Sequence, residues 1–142
     1  MTIKQYIREI DRRVRNLEKS QAVFIAAKAV QEKMSNRIFD KGQNQAGSTS
    51  QYTSDLYKKR RQAKGRQSGF VDFKFTAELQ QDWNSTLNKV TPLEYHLTLR
   101  ENNAEKVKHL EDRYGVIFSA NRNESIKFLD LVRKEGLRIL RD

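Results

Sequence analysis

The chain has 142 residues and a net charge of +10, with 37% hydrophobic and 32% charged residues. That length fits one domain over residues 1–142, and the hydrophobic share lies below the ~45–50% usual for folded domains (a figure that also counts Gly), so its core is small or is completed against neighbours. There is no cysteine, and His96 and His109 are the sole imidazoles, which excludes disulfides and thiolate metal sites; no metal or cofactor is expected, and no apolar run approaches the ~18 residues of a membrane span.

Ile3, Ile7, Ile10, Val14, Leu17, Gln21 and Phe24 step alternately by 4 and 3 residues, a heptad seam with one polar member. The stripe drifts to Ala27, Val30, Met34 and Ile38, Thr2 offers a cap, and neither Pro nor Gly precedes Gly42. The pattern predicts one helix of about 35 residues within 1–39, roughly 50 Å long at ~1.5 Å per residue, or a helix broken near Ser20. Such a helix exceeds the needs of a domain this size, so part of it is expected to project, with Ile3, Ile7, Ile10, Val14 and Leu17 as an oligomer interface. Lys4, Arg8, Arg12, Arg13 and Arg15 crowd its other faces, and parallel copies have to separate those charges or find acids for them. The first 20 residues hold six Lys or Arg without the apolar stretch of a signal peptide, which reads as a soluble chain made in a cytoplasm.

Residues 40–69 hold four of the six glycines and lack strand alternation, so they read as an extended basic arm or hairpin tip, too poor in apolar residues to be ordered in the isolated chain. Lys58, Lys59, Arg60, Arg61, Lys64 and Arg66 put six cations into nine residues, expected to face solvent, with Tyr52 and Tyr57 just before them as further interface candidates. Three readings of the cations stay open: contact with DNA phosphates, docking on an acidic neighbour, and a solvated charge run. Tyr52, Tyr57, Phe70, Phe73 and Trp83 are the aromatics that stack on bases in some nucleic-acid binders and anchor cores or interfaces in most proteins. The charge is uneven: residues 1–39 hold nine basic against four acidic residues, 40–69 seven against two, 70–102 three against five, and 103–142 nine against seven.

From Phe70, FVDFKF alternates, with Phe70, Asp72 and Lys74 on one face and Val71, Phe73 and Phe75 on the other, which predicts a half-buried strand. A short helix over 76–82 follows. Residues 85–90 and 95–100 then read as two antiparallel strands joined at Thr91-Pro92. Asn102 or Asn103 caps a helix ended by Gly115, residues 116–118 make a short strand, and Asn121 or Asn123 starts a last helix with Ile126, Leu129, Val132 and Leu140 on its stripe. The fold class is therefore α+β: a long N-terminal helix, a small antiparallel sheet with an extended basic arm, and two C-terminal helices.

Glu78, Asp82, Glu111 and Asp112 have no partner base in the pattern. Neither a nucleophile elbow, a phosphate-cradling glycine loop nor H-E-x-x-H occurs, so no catalytic residue is expected.

Arg37-Ile38-Phe39, then Gly42 and Gly47, then Tyr52, the basic runs KKRR and KGRQ, and Val71-Asp72 followed by Thr76 and Leu79 together resemble the tail-completion or virion-morphogenesis proteins of tailed bacteriophages. The resemblance covers Arg37 to Trp83, with a weaker echo in GVIFSANRNE at residues 115–124. The chain departs from the family pattern at Ala77, where the family usually has Gly, and in the polar STSQYTS after Gly47. The resemblance implies a non-catalytic structural subunit that forms a homo-oligomeric ring at the neck or head-proximal tail of the virion, after assembly in the host cytoplasm. It also implies contacts with other phage head, neck and tail proteins and non-specific contact with packaged DNA. The alternative is a free nucleic-acid-binding protein acting through the basic arm.

Overall fold

The computed structural model describes residues 1–74 and 77–141. Its elements run α1 (Ile3–Lys19), α2 (Ala22–Ser35), a π-helical turn (Asn36–Asp40), α3 (Asp55–Ala63), α4 (Glu78–Ser85), β1 (Leu87–Thr91), β2 (Glu94–Leu97), α5 (Glu101–Tyr114) and α6 (Arg122–Arg141). This is an α+β fold with one two-stranded antiparallel sheet among the described residues.

The N-terminal helix breaks at Ser20, the second of the two expected forms. Thr2 opens α1 with a capping box, its hydroxyl accepting from the Gln5 N–H while Gln5 Oε1 accepts from the Thr2 N–H at 2.7 Å. At the other end the Ser20 hydroxyl donates to the Leu17 carbonyl at 2.7 Å and accepts from the Ala22 N–H at 3.2 Å, so one side chain closes α1 and opens α2. Gln21 between them takes a left-handed φ of 58°. The expected seam is sound in register but has no cover: α1 buries none of its residues.

α2 carries the core. Val30 and Met34 pack with Ile38 and Phe39 of the π turn, Leu79 and Trp83 of α4, and Ile117. The wider π turn brings three consecutive residues inside, Arg37, Ile38 and Phe39. Trp83, open between core and ligand roles in the sequence, is a core residue: Gln31 Nε2 donates to its carbonyl at 2.6 Å. α6 lies along α2. Asn121 opens it with a reciprocal cap, Asn121 Oδ1 accepting from the Glu124 N–H at 2.9 Å and Glu124 Oε2 from the Asn121 N–H at 2.8 Å. Its predicted stripe is the packed face only at Val132, which is half-buried with Phe128 and Leu131, while Ile126, Leu129 and Leu140 are exposed.

Four expectations are corrected. Residues 40–69 are not an extended arm, because the backbone is pinned on both flanks and α3 forms within it. Gln43 bridges Thr49, Asn44 Nδ2 donates to the Tyr114 carbonyl and the Gln45 N–H to that of Val116. Gly42, at φ 62°, lets residues 70–71 approach so closely that a Cβ there would stand 2.2 Å from the Val71 carbonyl oxygen.

FVDFKF is not a strand over its described part. Phe73 is left-handed at φ 59° and Asp72 turns inward to meet Arg61; Phe75 and Thr76 lie outside the described residues. Residues 116–118 are not a strand either, because side chains take the ladder's place: Glu111 Oε1 accepts from the N–H groups of Ile117 and Phe118, and Arg37 donates to the Ile117 carbonyl. Finally, α5 starts at Glu101, before Asn102 and Asn103. Asp82 of α4 caps it from outside, accepting from the Arg100 N–H at 2.9 Å and from the side chain of buried Asn103 at 2.8 Å.

The hairpin forms where it was expected, with strands at Leu87–Thr91 and Glu94–Leu97 in place of 85–90 and 95–100, and α5 ends at Gly115. β1 and β2 pair Leu87 with Leu97, Asn88 with His96 and Lys89 with Tyr95. Gly115 closes α5 at φ 81° and ψ −178°, a backbone conformation open to glycine but not the left-handed helical cap expected of it.

Candidate functional site

The six predicted cations do not behave as one group. Ser54 caps α3 by accepting from the Tyr57 N–H at 3.2 Å, and the helix so started points successive cations in different directions. Lys59, Arg60 and Lys64 are exposed and Lys58 half-buried. Arg61 is 1% exposed, a correction to its solvent-facing role. Its Nη2 donates to both Asp72 oxygens at 2.7 and 2.8 Å, and its Nε to the Gln67 carbonyl at 2.9 Å. Arg66 is also engaged, donating to the Lys74 carbonyl. Arg61 thus holds residues 67–72 against α3, and Arg66 ties the two ends of the segment 66–74 to each other.

Tyr52 and Tyr57 come together with ring centroids 5.1 Å apart, and the Arg61 guanidinium lies 4.9 Å over the Tyr52 ring. Burial pushes the Tyr52 hydroxyl up to about 12, and it donates to Asp72 Oδ1 at 3.3 Å. The two tyrosines stand in one wall of a cleft of about 720 Å³ between α3 and α5. Tyr57, Arg60 and Arg61 line its α3 side, Lys106, His109 and Arg113 its α5 side. Val71, Phe73 and Leu79 form an apolar floor. Among the described residues no Asp or Glu lines the cleft. Lys106 and Arg113 were not among the candidates the sequence offered; with His109 they are spaced at i, i+3 and i+7, which puts them on one helix face and was the available signal.

The second feature is the α1 seam. Ile3 is 82% exposed, Ile7 53%, Ile10 43% and Val14 41%, with Leu17 half-buried near the break. On another face Glu9 accepts from Arg12 and Arg13, and the Arg12 hydrogen bond in particular holds its carboxyl below the ordinary range. Two of the five crowding cations therefore have an acid within the same helix.

Among the described residues no group of three His, Cys, Asp or Glu is placed to hold a metal ion, and no helix is long and apolar enough to cross a membrane. No family model, curated protein or solved structure matches the chain.

Proposed function

We propose that this chain is a structural subunit of a tailed-phage virion, a neck or tail-completion component that closes as a ring between head and tail and performs no bond chemistry. The observation that carries the reading is α1: a 17-residue helix that buries none of its residues and holds an apolar seam out to solvent. An exposed apolar seam of this length marks a surface that a neighbour covers. Head-to-tail contacts between copies generate a ring when the rotation closes, with other head, neck and tail proteins above and below it.

One residue of the resemblance fits this reading: Gly42 stands where no side chain can be accommodated. Ala77 remains a departure from the family's Gly, although it takes φ 60°. The second reading, nucleic-acid binding through the basic run, is favoured by the exposed Lys59 and Arg60 on α3 and Lys64 at its C-terminal cap.

The test is the mass of the purified chain by light scattering, with and without Ile7→Asp and Ile10→Asp together. Wild type is expected at multiples of 16.7 kDa, and the variant as a monomer with unchanged circular dichroism, since both residues are exposed in the single chain. A wild-type monomer at every concentration overturns self-association through α1. Absence of the chain from purified particles of the phage that encodes it overturns the virion role.

A further inference from the structure

We propose that the cleft between α3 and α5 is a docking site for an acidic, aliphatic peptide segment of a partner protein. The proposal stands on the cleft alone and goes beyond the ring, which rests on α1.

Charge sets the sign of the occupant. The titratable groups facing the cleft are Arg60 and Arg61 from α3 and Lys106, His109 and Arg113 from α5, with Tyr52, Tyr57 and Tyr114, and no carboxylate among its lining residues. Asp72 is spent on Arg61 behind the wall, and Glu78 reaches Lys106 at 2.8 Å from outside. Arg60 and Arg113 have no carboxylate partner among the described residues. An anionic occupant supplies what the cleft lacks, and its volume falls within the ~300–1,000 Å³ of binding clefts.

Spacing sets its shape. Lys106 and Arg113 stand about 10 Å apart along the helix with His109 between them and do not converge on one point, so they suit a ligand with several separated charges better than a single phosphate group. An extended peptide places alternate side chains about 6.6 Å apart on one face. A segment that alternates acidic and aliphatic residues lays its aliphatic side chains on Val71, Phe73 and Leu79 and its carboxylates along the cationic rim. Exposed Leu56 at the mouth extends the apolar contact.

The rings argue against single-stranded nucleic acid. Base stacking needs open ring faces. Here Tyr52 lies under Arg61 and against Tyr57, Phe73 meets Tyr114 edge-on at 5.8 Å, and Arg113 lies 5.4 Å over Tyr114.

The experiment is fluorescence anisotropy with the full chain and three labelled probes of about eight units: a peptide alternating Glu and Leu, the same peptide with Gln for Glu, and oligothymidine. Saturable binding of the Glu–Leu peptide is expected, weakened about tenfold or more by the Gln replacement and by His109→Glu with Arg113→Glu. Lys58→Gln with Lys59→Gln, on the flank of α3 outside the cleft lining, is expected to weaken binding far less than the cleft pair, because neither residue lines the cleft and both are screened by salt. Should the cleft variant fail to fold, the Gln peptide and the Lys58 and Lys59 pair still decide. The proposal is overturned if the Glu–Leu peptide does not saturate, if the Gln peptide binds equally well, if oligothymidine binds more tightly, or if the two α3 variants outside the cleft weaken binding as much as the cleft pair. A chain that binds the peptide but never self-associates keeps the cleft and loses the ring.

Discussion

Arg61 and Lys59 sit two residues apart in the same basic run, and the structure gives them opposite energetics. Lys59 is a solvated cation, whereas Arg61 is buried with its charge on Asp72. Removing one partner of a buried pair leaves the other as an uncompensated charge, so Arg61→Ser is expected to cost about 3–5 kcal/mol of unfolding free energy. Lys59→Ser is expected to stay within about 0.5 kcal/mol. Urea unfolding followed by circular dichroism checks both, and a mild Arg61 variant would mean the pair does not hold residues 67–72. Ala77 is the opposite case, a residue that strains the fold. Its φ of 60° is a conformation in which a Cβ costs about 1 kcal/mol and glycine pays no steric cost. Ala77→Gly is therefore expected to raise the unfolding free energy by about 0.5–1 kcal/mol, after allowing for the greater freedom glycine gives the unfolded chain. A lower urea midpoint for this variant would count against relief of strain at the start of α4.

At the scale of elements, what was legible is what local chemistry decides. The hairpin around Thr91-Pro92, the Asn121 cap, the Gly115 stop and the alternation of 4 and 3 along α1 each rest on residues close in sequence. What failed was decided by partners far along the chain. FVDFKF alternates like a strand, yet Asp72 serves a buried arginine 11 residues earlier, and the backbone turns at Phe73 to allow it. The strand expected at 116–118 lost its ladder to Arg37, whose guanidinium reaches the carbonyls of Ile117 and Ser119 and pairs with Glu124 at 2.7 Å. In residues 40–69, the six cations of the basic run and four glycines suggested disorder, since nothing in their own sequence shows that Arg61 will be buried. Proteolysis measures the difference. With α3 pinned and α1 uncovered, the free energy of local opening is smallest at the N-terminus. Limited trypsin digestion is expected to cut first among Lys4, Arg8, Arg12, Arg13, Arg15 and Lys19, leaving a stable fragment that begins near Ser20. First cleavage within Lys58 to Arg66 would restore the mobile arm.

Over the whole molecule, apolar seams and net charge act against each other. α1 lies beside α6, whose Ile126, Leu129, Leu137 and Leu140 are also exposed, so the two helices offer apolar surface to a neighbour. Each copy, however, carries a net charge of +10, and like-charged copies repel as they approach. Salt separates the two forces. Raising ionic strength shortens the Debye length from about 30 Å at 0.01 M to about 8 Å at 0.15 M, which removes repulsion between copies and leaves apolar burial in place. Self-association through α1 is therefore expected to hold or increase as salt rises. Nucleic-acid binding through Lys58, Lys59, Arg60 and Lys64 runs the other way, because each neutralised phosphate releases a counterion and the affinity falls as a power of salt concentration. Light scattering and duplex-DNA titration of the same preparation, from about 50 to 200 mM salt, place both forces on one axis. A mass that persists while DNA affinity collapses favours the ring built on α1. A mass that falls with salt would mean the copies are held by charge pairs, and the apolar seam of α1 would then need a different partner.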